Sequence, residues 1–306
     1  MTWALVLLST LALAAVAPPG DPLVGEQWHL TQVGVFDAWA SNQGAGVVVA
    51  VVDTGVDATH PDLAGRIAPG IDLVERGTPP EDPNGHGTLV AGVIAAIAGN
   101  GVGGTGVAPG ARIMPVRVLD AGGTGNSADV AEGIRWAARN GAQVINLSLA
   151  EAPGLVPNAS GIIGSDVEAA ITEAHAAGAV VVAASGNEGR GSTPYAPSVP
   201  VIVVGASDRG DAVWRHSNRD ARTLFAPGVD IISTHTGHGY ARADGTSFAT
   251  PIVSAGAAML RAAQVPPGQV RERLLSTARP MPGSAGRVDL AAALAVAAVA
   301  AAPPPP

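Results

Sequence analysis

From residue 47 onward, short runs of valine, isoleucine and leucine alternate with longer Ala-rich stretches, and that alternation restricts the fold more than any other feature of the chain. The runs at 47–52 (Val-Val-Val-Ala-Val-Val), 113–119, 144–149, 179–184 and 201–205 are largely continuous in apolar character, without a strict inside-outside period. Strands of that kind are covered on both faces, as in a parallel sheet sandwiched between helices. Helical stretches fill the intervals at 88–98, 127–139 and 165–177. The second is closed by Gly141; the third is opened by the capping-box pattern Ser165-x-x-Glu168 and closed by Gly178. Residues 224–234 also read as strand, and 247–263 as a long apolar helix with Pro251 in its first turns. The expected fold is α/β, three layers with a mainly parallel central sheet flanked by helices. No repeat or linker divides it, so one large domain is expected over residues 28–290.

At 306 residues and 47% apolar content, the chain can bury a sizeable core. Two absences then exclude whole classes of chemistry. No cysteine occurs, which removes disulfides, thiolate nucleophiles, iron–sulfur clusters and cysteine-bound zinc. All 17 basic residues are arginine, so a P-loop lysine, a Schiff-base lysine and a Ser-x-x-Lys acylating pair are excluded too. A nucleophile must come from Ser, Thr, Asp, Glu, His, Tyr or metal-bound water. The net charge of −8 supplies no basic field, so neither nucleic acid nor an anionic membrane is an expected partner.

Residues 1–17 form an uncharged apolar run ending in Ala15-Val16-Ala17, the small-x-small pattern of a signal-peptide cleavage site. A cleaved export signal is expected there, followed by a short N-terminal segment at 18–27 and a secreted product. At the other end, the Ala-rich stretch in 291–306, closed by four prolines, is shorter than the ~20 residues that cross a bilayer, so a docking helix end and a Pro tail are expected.

Ligands of open α/β sheets gather at the carboxyl ends of strands, and four reactive side chains fall at such ends or at helix entrances. Asp53 follows the first strand, Asn187 lies in Ser185-Gly186-Asn187-Glu188-Gly189 after another, His86 stands between Gly85 and Gly87 before a helix, and Ser247 opens the last long helix. Singly, each has an ordinary explanation as a turn former or cap. Together they supply an acyl-transfer site. A serine hydroxyl needs an imidazole to take its proton, a carboxylate holds the imidazolium, and an amide with a helix-start N–H can receive an oxyanion. Spacing alone does not show contact.

The segments Asp53-Thr54-Gly55-Val56 with His60-Pro61-Asp62-Leu63, Asn84-Gly85-His86-Gly87-Thr88, and Gly245-Thr246-Ser247-Phe248-Ala249-Thr250-Pro251 closely resemble the three signature blocks of subtilisin-like serine peptidases. The resemblance covers about residues 25–290. It implies that Asp53 orients, His86 is general base then acid, and Ser247 attacks, with Asn187 in the oxyanion hole. It further implies that Ser148, Leu149 and Ala150 pair with an extended protein or peptide substrate, and that Glu188 lies near the specificity pocket. No cofactor is implied for catalysis; a monomer without a stable membrane span is expected. A structural calcium is implied at Asp62 and the Gly-Asn-Gly-Val-Gly-Gly-Thr loop at 99–105, whose side chains offer only Asn100 and Thr105.

The chain departs from the family pattern at Leu89, at Ala150-Glu151, and at Trp214-Arg215-His216-Ser217. Two other readings remain open. One is an inactive peptide-binding module of the same fold. The other is a metallohydrolase using His60, His86 and Asp57, or His235 with His238, though these lack the helical spacing usual for zinc.

Overall fold

A computed structural model describes residues 16–149 and 163–301. At its centre lies an eight-stranded sheet formed by β1 (Val48–Asp53), β2 (Ile71–Asp72), β3 (Arg112–Arg117), β4 (Val144–Leu147), β5 (Val180–Ala184), β6 (Val201–Ser207), β7 (Leu224–Pro227) and β10 (Gly286–Arg287). Their order is β10-β7-β6-β5-β4-β1-β3-β2, and every neighbouring pair is parallel. A separate antiparallel hairpin pairs β8 (Ile231–His235) with β9 (Gly239–Ala243).

Helices close both faces. On one, α4 (Ser127–Arg139) and α5 (Ser165–Ala176) bury Val130, Ile134, Val167 and Ile171. On the other, α3 (His86–Ala95) and α6 (Thr246–Ala262) bury Val90, Ile94, Ile252 and Val253. That second layer is extended by α1 (Trp28–Gln32), α2 (Val35–Ala38), α7 (Pro267–Ser276) and α8 (Leu290–Ala301). Successive residues of a strand point to opposite faces, so Val49 and Val51 feed one core while Ala50 and Val52 feed the other. This is why the runs are apolar throughout, and the three-layer α/β expectation holds.

The chain leaves β1 for β2 and β3 on one side and returns to β4 on the other. A crevice therefore opens at the carboxyl ends of β1 and β4, the place where such sheets bind ligands. Asp53 ends β1, and Ser148 directly follows β4.

Three local expectations change. Ser165 is the first residue of α5 and Gly164 its cap, while the Glu168 carboxylate accepts from the Ala196 N–H at 2.7 Å, so no capping box forms. Residues 224–234 make two strands in two sheets: the Gly228 N–H donates to the Ser207 carbonyl, and Asp230 turns the chain at φ 54°. The helix expected at 88–98 runs from His86 to Ala95. The apolar run at 1–17 lies almost wholly outside the described residues.

Leu290, Ala293 and Leu294 of α8 are fully buried in the same cluster as α6. Gly256 permits the approach, since a Cβ there would stand 2.4 Å from Leu290 Cδ2. Leu294→Ala is expected to cost about 2–5 kcal/mol, the usual range for a leucine deleted from a closed core. Denaturant unfolding measures this, and an unchanged midpoint would show that the docked helix adds no stability.

Candidate active site

The Asp53 carboxylate is inaccessible to solvent. Its Oδ1 accepts from the Thr54 N–H at 2.7 Å and stands 2.7 Å from Nδ1 of His86, whose side chain is 27% exposed. An ionised carboxylate can only accept, so the proton sits on Nδ1 and Nε2 is left as the basic nitrogen. The two segments meet closely because a glycine stands between them: a Cβ on Gly87 would fall 2.1 Å from the Gly55 carbonyl. Asp82 secures the crossing. Its Oδ1 accepts from the Thr54 hydroxyl and the Gly85 N–H, both at 2.8 Å, and its Oδ2 from the Thr88 N–H at 2.8 Å and hydroxyl at 2.6 Å. Sequence alone did not single out Asp82; an acid shortly before the glycine-flanked histidine was the available signal. Leu89, the departure one residue on, is buried in the core.

Ser247 is the second residue of α6, where backbone N–H groups have no partner within the helix. Pro251, one turn later, has no N–H for the Ser247 carbonyl. The Ser148 hydroxyl takes that role, donating to the Ser247 carbonyl at 2.8 Å, while Ser247 Oγ donates to the Ser148 carbonyl at 2.9 Å. Ser148 Oγ in turn accepts from Asn146 Nδ2 at 2.9 Å, and Asn146 Oδ1 accepts from Ser254 Oγ at 2.8 Å. A ladder of polar bonds thus joins the end of β4 to α6 at the crevice.

The expected relay is half assembled. Asp53 and His86 are bonded, whereas the Ser247 hydroxyl rests on Ser148. The His86 ring packs 5.3 Å, centroid to centroid, from that of Phe248, the neighbour of Ser247. A turn of the hydroxyl away from Ser148 is the change a complete relay requires. Asn187 is already oriented: its Oδ1 accepts from the Thr246 N–H at 3.0 Å and the Thr246 hydroxyl at 2.9 Å. Its Nδ2 remains as a donor.

Of the expected substrate residues, Ser148 and Leu149 are buried beside the crevice, and Ala150 lies, with Glu151, outside the described residues. Glu188 is exposed, its Oε2 accepting from Asn218 Nδ2 at 2.5 Å. It lines a cavity of about 140 Å³ with Gly186, Arg190, Thr193 and Asn218.

Asp62 is bonded to the 99–105 loop. Its Oδ1 accepts from Asn100 Nδ2 at 2.8 Å, and its Oδ2 from the Gly104 N–H and the Tyr240 hydroxyl, both at 3.3 Å. Burial pushes its carboxyl pKa up, against the lowering pull of these donors. Asp21, unmarked in the sequence, grips the same loop, accepting from the Gly99 and Gly101 N–H groups at 2.6 and 2.8 Å. Two carboxylates bonded to one glycine-rich loop and the amide of its Asn100, with no cationic side chain among the described residues bonded to either acid, are a donor set that fits a hard cation. Among the described residues no three His, Asp or Glu side chains group to hold a metal. Of the histidines of the metallohydrolase reading, His60 Nε2 meets the Gly239 carbonyl at 3.0 Å, His238 Nε2 meets the Thr59 hydroxyl at 3.2 Å, and His86 Nδ1 is taken by Asp53.

Comparison with known proteins gives the same direction. Residues 44–296 match the subtilase family. A thermophilic serine proteinase from Bacillus sp. (strain AK1) is 42% identical over 256 residues, covering 81% of this chain and 60% of that protein. Thermitase from Thermoactinomyces vulgaris is 38% identical over 273 residues, 87% of this chain and 93% of that one. A solved protease structure from Pseudoalteromonas arctica PAMC 21717 superposes with a TM-score of 0.82 at 32% identity, covering 92% of this chain and 100% of that chain. This chain therefore spans about three-fifths of the Bacillus protein but nearly all of thermitase.

Burial works to lower the His86 pKa, but the charge and hydrogen bond of Asp53, with the charge of Asp82, outweigh it and raise the pKa above 6.5. A proton NMR titration of the ring is expected to show a midpoint above 6.5. Asp53→Asn removes the main raising cause and should bring the midpoint down. A midpoint that the substitution leaves in place would show that the pair is not electrostatically coupled.

Proposed function

The chain belongs to the subtilase family, and from that membership we propose that it is a secreted serine endopeptidase working through Asp53, His86 and Ser247. The observation that carries the reading is the buried Asp53–His86 bond at 2.7 Å, set beside a serine at the N-terminus of α6. An Nδ1 proton committed to Asp53 leaves Nε2 free to take a proton from the Ser247 hydroxyl.

The reaction follows from these atoms. A substrate chain laid along Ser148 and Leu149 as an added strand offers an N–H to the Ser148 carbonyl, displacing the Ser247 hydroxyl that rests there. The freed Oγ turns to Nε2, loses its proton and attacks the peptide carbonyl carbon. Negative charge gathers on the carbonyl oxygen, where Asn187 Nδ2 and the Ser247 N–H are the donors. Asp53 stabilises the imidazolium; His86 then gives the proton to the leaving amine, the C–N bond breaks, and an acyl-enzyme remains. Water, deprotonated by His86, repeats the sequence and releases the acid. Export is supported by the 1–17 pattern, and no helix among the described residues is long and apolar enough to cross a membrane.

Ser247→Ala should abolish hydrolysis while the fold persists, and the unaltered protein should react with a fluorophosphonate probe. Retained cleavage by the purified variant, or no labelling of the parent, would end the proposal and leave the inactive-module reading. Because the base must be neutral, the rate should fall as pH drops through the raised His86 pKa. An optimum near pH 4 would contradict it.

A structural calcium belongs to the same proposal. Asp21, Asp62 and Asn100 would hold it with carbonyls of the 99–105 loop, and it would clasp the N-terminal segment to that loop without entering the reaction. Chelation is expected to lower the melting temperature and to leave the initial rate unchanged. An unchanged melting temperature would dismiss the ion.

A further inference from the structure

The loop at 185–190 carries the amide that would receive the oxyanion, yet it is a poor candidate for rigidity. Gly186 and Gly189 both have positive φ, and Glu188, Gly189 and Arg190 are exposed. Glycines at such positions leave a loop a wide choice of conformations unless something outside it decides. That something is the 214–220 segment, which meets the loop through backbone bonds, among them Arg219 N–H to the Arg190 carbonyl at 3.0 Å, and through the side chain of Asn218.

Asn218 is only 3% exposed and meets the loop on both sides of Asn187. Its Oδ1 accepts from the N–H groups of Glu188 at 3.2 Å and Arg190 at 2.8 Å, and its Nδ2 donates to Glu188 Oε2 at 2.5 Å. Its backbone N–H donates to the Gly186 carbonyl at 2.9 Å, and its carbonyl accepts from Ser185 Oγ at 2.7 Å. The contact is close enough that a Cβ on Gly186 would stand 2.3 Å from Asn218 Nδ2. The neighbouring His216 carbonyl adds one bond from the Gly189 N–H at 2.8 Å. Asn187 itself makes no side-chain bond to Asn218; its Oδ1 is turned to Thr246. The backbone of the donor is therefore held from one side and its amide head from the other.

We propose that Asn218 is a positioning residue for the oxyanion hole, fixing the backbone on both flanks of Asn187 without touching the substrate. The inference rests on the reading of Asn187 as the oxyanion donor. A donor acts on the transition state only when it stands within a hydrogen bond of where the charge develops, and a misplacement of ~1 Å can cost on the order of a hundredfold in rate. The substrate backbone would be held elsewhere, along Ser148 and Leu149, so loss of the clamp should fall on kcat and spare KM.

Asn218→Ala is expected to lower kcat roughly 10- to 100-fold, within the range of a displaced donor, with KM nearly unchanged and rates counted per active site titrated by a fluorophosphonate. Asn218→Leu keeps the volume but removes the acceptor for the Glu188 and Arg190 N–H groups, so it should be as slow as Asn218→Ala, whereas recovery of kcat in it would reveal a merely space-filling role and overturn the proposal. Adding Asn218→Ala to Asn187→Ala should cost little more than Asn187→Ala alone. An unchanged kcat per site in Asn218→Ala, or an equal loss with and without Asn187, would overturn the positioning role. A full kcat in Asn187→Ala alone would instead bring down the oxyanion reading and this inference with it. Should the alanine variant fail to fold, amide exchange in the unaltered protein decides: Glu188 and Arg190 N–H groups should exchange markedly more slowly than that of Ser192, and equal rates would overturn the clamp.

Discussion

A carboxylate sealed at the end of the central strand and hydrogen-bonded to an imidazole is the interaction on which the rest of the site depends. With Asp53 fully buried, solvent neither screens its charge nor competes for its Oδ1, so the bond to His86 fixes which ring nitrogen carries the proton. Its Oδ2 has no partner among the described residues, a cost that the fold bears here. Burial here follows from the doubly covered sheet, because the last residue of β1 is flanked by β3 and β4 and roofed by α3.

Around that bond, rigidity comes from polar groups that tie the ends of separate elements to one another. Asp82 ties the start of α3 to the end of β1, the Ser148–Ser247 exchange ties β4 to α6, and Asn218 ties the 185–190 loop to the 214–220 segment. In each case a buried or half-buried side chain bonds backbone groups at a helix start, a strand end or a loop, where the regular ladder supplies no partner. Pro251 shows the logic: it deletes a helical donor, and the orphaned Ser247 carbonyl becomes the anchor for the strand that flanks the crevice. The same device appears at the 99–105 loop, where Asp21, Gln27 and Asp62 hold a glycine-rich segment against the N-terminal residues.

The resting hydroxyl of Ser247 gives this arrangement a direction. In the proposed reaction its partner is the carbonyl that an added substrate strand would use, so occupation of the cleft and release of the hydroxyl would be one event. Under that reading, the serine would pair with His86 only once another donor satisfied Ser148.

The order of strands and helices was legible because burial on both faces imposes continuous apolar runs, and it holds for β1, β4, β5 and β6. The three signature blocks made Asp53, His86 and Ser247 legible as candidates, and Asn187 by its place after a strand. Local motifs failed where a distant group outbid the near one: Glu168 went to Ala196 instead of its own helix start, and residues 224–234 split when Gly228 bonded to β6. Asp21, Asp82 and Asn218 were invisible for the same reason. Each is a short polar residue whose local signal is that of an ordinary turn, and its partners are set by the path of the chain. What the sequence alone determined was chemistry and periodicity, because residue type and spacing carry both. Which groups touch, and which way the Ser247 hydroxyl points, was decided only by tertiary structure, because a hydrogen bond reaches about 3 Å and only folding brings remote residues within that distance.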